Sequence, residues 1–188
     1  MKKTAIAAMM FLAVTCVFPL YAQQSPDAMG VIMAHYAARS FIPGAIPRAD
    51  LDLIIQAGIR APSARNMQPW HFTVVQNLAL ARRIVPQTVE GNVIFVISAA
   101  GDSRINYVEI LDSGLAAQSI NLAAQALGYG ARIYTTPVNY INSNLKSELG
   151  FPAGYSAIAL VRVGRVDSVD AVSAASGRRP ADTLVTFK

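Results

Sequence analysis

The order of apolar and polar positions predicts a mixture of helices and strands with no regular strand–helix–strand repeat. Apolar residues that recur every three or four positions indicate helices, and continuous apolar runs indicate buried strands. The predicted helices begin near Ser25 and Pro47 and cover residues 78–85, 105–127 and 140–149. The predicted strands cover residues 71–75, 93–97 and 155–163, with 132–135 as a short strand or loop and a strand-like end at 183–187. This irregular order predicts an α+β fold.

The longest predicted helix, over residues 105–127, carries almost no charge. Its larger apolar residues form one stripe, which consists of Val108, Leu111, Leu115, Leu122 and Ala126. Several alanines widen the uncharged surface beside that stripe, so the helix is predicted to be buried nearly all round. Two interpretations follow, namely the central helix of a domain or the seam of a dimer.

The first 22 residues have the layout of a secretory signal peptide. Lys2 and Lys3 precede an apolar run over residues 4–19, and Ala22 offers a small residue at the cleavage position. The run of about 16 residues is shorter than the roughly 20 that a membrane-spanning helix needs, although a retained N-terminal anchor is the alternative. We expect residues 1–22 to be removed, residues 23–188 to form one domain with no stable membrane insertion, and the protein to be exported to the periplasm.

Composition and charge mainly exclude certain partners and kinds of site. Of 16 basic and 11 acidic residues, removal of Lys2 and Lys3 leaves a net charge of about +3, and the arginines are scattered. We therefore expect no nucleic-acid partner. The single cysteine, Cys16, lies in the predicted signal, and His35 and His71 are the two histidines. The sequence thus predicts no disulfide, no thiolate nucleophile and no metal site in the mature chain.

The segment 61–70 is the most informative loop of the sequence. Pro62 and Pro69 restrict its backbone, while Ser63, Asn66 and Gln68 supply donors and acceptors suited to the edge of a planar heteroaromatic ring. Trp70 adds an apolar wall. From the residues alone, a well-hydrogen-bonded loop beside a core tryptophan is the favoured interpretation.

The run 57–72 closely resembles the signature of the nitroreductase superfamily, a helix end followed by A-P-S-x-x-N-x-Q-P-W-x-F. Three other segments resemble the family in the same order. These are Arg39-Ser40-Phe41, the central-helix residues from Asp112 to Gly130, and Arg178-Arg179-Pro180 through Val185. The resemblance spans nearly all of the predicted mature chain, and the spacing between Phe72 and Asp112 resembles that of compact members.

The resemblance implies a nitroreductase-like α+β fold with a central, mostly antiparallel sheet flanked by helices. It also implies an intertwined homodimer with FMN in each of two interface sites. Pro62, Ser63 and Ala64 would approach the ring from one subunit, with Asn66 and Gln68 fixing the loop or touching the ring. Residues placed beside the flavin by the same resemblance are Ile133, Tyr134, Thr135 and Thr136, and those placed near its phosphate are Arg39, Arg178 and Arg179.

The chain departs from the family pattern at the N-terminal phosphate segment. The register from Arg39 puts His35, Tyr36 and Ala37 where the family usually has Arg, Arg or His, and Ser. His35 substitutes for one donor if it is protonated, but its ordinary pKa makes it a weak cation at neutral pH. Alternatively, His35 packs on the first helix.

The activity implied by the resemblance is ping-pong hydride transfer through FMN. A reduced donor, NAD(P)H or another, would reduce the flavin, and an electron-poor acceptor such as a nitroaromatic or a quinone would oxidise it. The flavin carries the hydride, so no catalytic side chain is expected. Two alternatives remain: a non-catalytic flavin or small-molecule binding protein, and another flavin reaction such as flavin fragmentation or reductive dehalogenation.

Overall fold

The computed structural model describes residues 28–34, 37–100, 107–167 and 178–188. The predicted signal segment 1–22, His35 and Tyr36 lie outside the described residues. The helices are α1 (Ala28–Met33), α2 (Arg48–Ile59), α3 (Leu78–Ile84), α4 (Tyr107–Ala126) and α5 (Val138–Asn144). The strands are β1 (Trp70–Val75), β2 (Val93–Ala100), β3 (Gly130–Tyr134) and β4 (Tyr155–Gly164), and 3₁₀ turns cover Ala64–Asn66 and Ala181–Thr183.

The four strands form one sheet in the order β1-β2-β4-β3, and every neighbouring pair is antiparallel. The predicted α+β class and the antiparallel sheet are confirmed. The sequence predicts residues 132–135 as either a short strand or a loop. In the structure most of them belong to β3, an edge strand of the sheet. β2 is buried along nearly its whole length, which agrees with its continuous apolar sequence.

Helices cover both faces of the sheet and divide the core in two. On one face, α2 and α4 pack over alternate residues of the central strands, and this cluster includes Ile54, Phe95, Ile120 and Val161. On the other face, α3 and α5 pack over the intervening residues, including Ile94 and Leu160. The alternation of side chains along β2 and β4 therefore places the two helix pairs on opposite sides.

The buried face of α4 is not the predicted apolar stripe. Leu111 is 48% exposed and Leu115 is 37% exposed. Apart from Ile120, the buried residues are small or polar, namely Asp112, Ser113, Ala116, Ala117, Asn121 and Ala124. The expectation of burial nearly all round is thus wrong within one protomer. Small side chains let α4 lie close to α2 and the sheet, and Ile110, Leu111 and Leu115 are exposed.

The C-terminal end also differs from its sequence pattern. The segment predicted as strand-like, 183–187, begins in the 3₁₀ turn and continues as an irregular, exposed chain in this protomer. β propensity alone cannot form a strand that has no partner. No helix among the described residues is long and apolar enough to span a bilayer.

Candidate functional site

The loop between α2 and β1 is positioned by a close helix–helix contact. A methyl group added at Gly58, near the end of α2, would lie 2.8 Å from the Cγ1 atom of Ile120 on α4. The absence of a side chain therefore lets α2 approach α4 closely. The helix ends directly afterwards, where the Ala61 N–H donates to the carbonyl of Gly58 at 3.2 Å. The chain leaves α2 towards the N-terminal part of α4.

The backbone of this loop adopts an uncommon conformation. Arg65, Asn66 and Gln68 have φ angles of 52°, 56° and 46°, in the left-handed region that L-residues seldom occupy. Such conformations cost of order 1–3 kcal/mol each and persist only where surrounding contacts hold them. They cluster at functional sites, so three in four residues make this loop a candidate site on geometric grounds.

Hydrogen bonds hold the loop from inside and from α4. The Ala64 N–H donates to both carboxylate oxygens of Asp112, each at 3.2 Å, and Asp112 is buried. The Gln68 N–H donates to Ser63 Oγ at 3.0 Å. The Gln68 Nε2 donates to Asn66 Oδ1 at 3.2 Å. Asn66 and Gln68 therefore contact each other within the loop.

The same loop borders a cleft of about 310 Å³ at one end of the sheet. The other walls are the last residue of β2, the first turn of α4 and Tyr155 at the start of β4. Pro62 and Ala64 are exposed, whereas Trp70 is partly buried and packs against the α2–α4 core. The loop therefore presents small apolar groups and peptide edges outwards, while its tryptophan serves the core.

A second group of expected residues lies at the opposite edge of the sheet. The Ala38 N–H donates to the carbonyl of Ala131 on β3 at 3.0 Å, which sets Ala37 and Arg39 beside that strand. Ile133 is exposed on β3, and Thr135 and Thr136 follow the strand directly. Residues 37–39 and 133–136 therefore lie along the same edge of the sheet.

The structure does not bring the two groups together within one protomer. β1, which follows the loop, and β3 are separated by two strands, or about 14 Å at the usual strand spacing. Arg178 and Arg179 are exposed in the C-terminal segment, and the chain between them and β4 is outside the described residues. Two half-sites therefore exist on one chain, the loop half-site (61–69 with Asp112) and the edge half-site (37–39 with 133–136).

Sequence reasoning missed the role of Asp112 in the loop half-site and the arginine pair of Arg132 and Arg162 beside the edge half-site. Asp112 enters the sequence prediction only as part of a family pattern, although it is one of two acids in a helix with no basic residue, which is itself a signal. Arg132 and Arg162 were not singled out, because their interaction depends on the pairing of β3 with β4. Burial lowers the pKa of Arg162.

Comparison with known proteins agrees with the fold and the loop. Residues 32–93 match the model of the nitroreductase family. An Archaeoglobus fulgidus protein, a candidate NADH dehydrogenase/NAD(P)H nitroreductase, is 26% identical over 147 residues, which cover 73% of this chain and 84% of that protein.

Solved structures share the same architecture. A candidate nitroreductase from Desulfovibrio desulfuricans, in complex with FMN, is 26% identical with a TM-score of 0.72 over 86% of this chain and 96% of that one. A nitroreductase from Desulfitobacterium hafniense with bound FMN is 22% identical with a TM-score of 0.71 over 86% and 98% of the two chains. The antiparallel sheet with its helices and the likeness to these solved structures show that this chain has the nitroreductase-like fold, and its loop signature lies within the residues that match the nitroreductase family.

Proposed function

We propose that this protein is an FMN-dependent oxidoreductase that transfers hydride from NAD(P)H, or another reduced donor, to an electron-poor acceptor such as a nitroaromatic or a quinone. The observation that carries the proposal is the strained loop 61–69, held in place by Asp112. The solved relatives with bound FMN and the name of the Archaeoglobus relative support it.

The residues present fit a flavin mononucleotide by their chemistry. The loop half-site offers exposed Pro62 and Ala64, which suit contact with an apolar ring face. The edge half-site offers Arg39, an exposed cation with no carboxylate partner among the described residues. Guanidinium groups match the geometry of phosphate oxygens, so one half-site suits the ring and the other includes phosphate chemistry.

In this proposal the chain's own residues bind and orient. Bound FMN would supply the hydride chemistry. Asp112 and Ser63 hold the loop backbone that would face the ring, and a backbone N–H of Thr135 or Thr136 on the edge half-site would face N5. Arg39, Arg178 and Arg179 would neutralise the phosphate.

We further propose that a homodimer assembles each site from the loop half-site of one protomer and the edge half-site of its partner. Large apolar residues on three helices are exposed in one protomer, among them Met29, Leu53, Leu111 and Leu115. Exposed apolar surface of this kind marks an association interface. Sedimentation equilibrium tests the assembly: we expect the mass of a dimer, and a shift towards monomer in Leu115→Glu.

Visible spectroscopy of the mature chain tests the flavin proposal. We expect added FMN to be retained through desalting, with a shifted flavin spectrum and a raised Tm, because a ligand that binds only the folded state stabilises it. No retained flavin and no change in Tm would refute the proposal. Anaerobic titration with NADH and NADPH then tests the activity, and an FMN complex that neither donor bleaches would favour the non-catalytic binding protein.

A double variant tests whether the C-terminal arginines bind the flavin phosphate. We expect Arg178→Ala combined with Arg179→Ala to weaken FMN binding, because two cations near the phosphate are lost. Unchanged affinity would contradict the assignment.

We also propose that residues 1–22 direct export to the periplasm. Mass spectrometry of the protein from separated periplasmic and cytoplasmic fractions tests this. We expect the periplasmic form to begin at Gln23, and an uncleaved chain confined to the cytoplasm would contradict the proposal.

A further inference from the structure

Two arginines lie directly opposite each other on the edge of the sheet. Arg132 on β3 is paired with Arg162 on β4 in antiparallel register, so both side chains project from the same face. Neither forms an ion pair with a carboxylate among the described residues. Like charges in this position destabilise a strand pair, which raises the question of what compensates for them.

Arg162 is compensated by neutral groups. It is 2% exposed, its Nε donates to Asn92 Oδ1 at 2.8 Å, and its NH2 nitrogen donates to the carbonyl of Gln87 at 2.8 Å. The guanidinium carbon also lies 4.0 Å from the centre of the Phe41 ring. These contacts fix Arg162 as a buried cation that no ligand reaches.

Arg132 differs from Arg162 because it is partly exposed and its guanidinium has N–H donors that remain available. Its guanidinium carbon lies 5.0 Å from the centre of the Tyr134 ring. Among the described contacts of Arg132, this stacking is the one that fixes its guanidinium. The five N–H donors of an arginine that stacks on a ring remain available to an anion.

The position of Arg132 places it beside the segment that lacks its usual phosphate donors. Ala131, the preceding residue, accepts the hydrogen bond from Ala38, so Arg132 is next to the point where residues 37–39 join the sheet. We propose that Arg132 binds the phosphate group of the flavin and takes over from the donors that the sequence lacks at residues 35–37. Tyr134 acts as a positioning residue by stacking on the Arg132 guanidinium.

The inference rests on the proposed FMN site, and its test separates the two. Fluorescence titration measures the affinity of the full-length mature protein for FMN and for riboflavin, which has the same ring but no phosphate. Wild type is compared with Arg132→Gln and with Arg48→Gln, a control that removes an exposed arginine paired with Asp52 elsewhere on the surface. Competition by inorganic phosphate shows whether the free anion occupies the same position.

We expect Arg132→Gln to weaken FMN binding by about 10- to 100-fold, the range for loss of a hydrogen bond to a charged group, while riboflavin affinity stays as in wild type. Arg48→Gln should bind both flavins normally, and inorganic phosphate should compete with FMN in wild type more than in Arg132→Gln. The Tm of flavin-free Arg132→Gln should equal or exceed that of wild type, because the repulsion with Arg162 is relieved.

Two results would overturn the inference while leaving the proposed function intact. One is FMN affinity unaffected by Arg132→Gln. The other is an equal loss of FMN and riboflavin affinity together with a lower Tm, which would identify Arg132 as a structural residue. A wild-type protein that binds neither flavin would overturn the proposed function and this inference together.

Discussion

Substitution of Asp112 offers a direct test of how the loop 61–69 is held. In the structure its two carboxylate oxygens accept the Ala64 N–H, each at 3.2 Å, and the side chain is 2% exposed. Asp112→Ala leaves that N–H without its acceptor. A hydrogen bond to a charged group contributes about 1.5–3 kcal/mol, so local opening of the loop should become about 10- to 100-fold more frequent.

Amide hydrogen exchange at Ala64 measures this opening directly. We expect exchange at Ala64 to accelerate by that factor in Asp112→Ala and by less in Asp112→Asn, whose amide oxygen still accepts one hydrogen bond. The amide of Val96 in the central strand β2 serves as the internal reference, because its exchange reports global rather than local opening. FMN affinity, measured on the same variants, should fall in the same order.

One result would refute the reasoning. If Ala64 exchanged at the wild-type rate in Asp112→Ala, with the central strand equally protected, then the loop would be held by its internal contacts and not by α4. Accelerated exchange across the whole chain would instead mean that Asp112 stabilises the fold globally.

Three further substitutions test the geometry around the site and the core. We expect Gly58→Ala to lower the free energy of unfolding by about 1–3 kcal/mol, since the added methyl group would lie 2.8 Å from Ile120 Cγ1; urea denaturation showing equal or greater stability would contradict the close contact. Arg65→Gly should raise the free energy of unfolding by up to about 1 kcal/mol, because the relief of a left-handed φ exceeds the entropy cost of glycine. Arg65→Ala should not raise the free energy of unfolding. Burial and a hydrogen bond to Asp50 raise the pKa of Tyr129 from 10.0 to about 12. Between these two values the folded state keeps the phenol proton that the unfolded state loses. This stabilisation is complete below about pH 10, is lost towards pH 12 and amounts to roughly 3 kcal/mol at most. Urea denaturation across this range should show the loss in wild type and not in Tyr129→Phe.

The sheet and the loop 61–69 could be predicted from the sequence because their patterns depend on residues that are neighbours in the chain. The continuous apolar run at β2 and the Pro-bounded loop at 61–69 each depend on neighbouring residues, and the structure has both in place. Periodicity alone could not say which face of α4 is buried. The helix is uncharged on several sides, so apolar character does not distinguish its faces, and contact with α2 decides the matter through the small residues Gly58 and Ala117.

The edge half-site could not be predicted from spacing because it depends on pairing between distant segments. Ala38 meets Ala131 across more than ninety positions, and Arg132 meets Arg162 only through the antiparallel register of β3 with β4. Pairing between strands that are far apart in the chain produces no periodic pattern in the sequence. Residues 37 and 39 could be named from the resemblance, but Arg132 became visible only with the fold.

Helix α4 connects the loop half-site to the surface on which we propose the partner to sit. Leu111 and Asp112 are consecutive, so they project from α4 about 100° apart, one exposed and the other holding Ala64. A partner that covers Leu111 and Leu115 would therefore restrain the same turn of helix that fixes the loop. Because flavin and partner would both favour one position of this turn, each should strengthen the binding of the other. The strained loop is then stabilised by assembly as well as by its own hydrogen bonds.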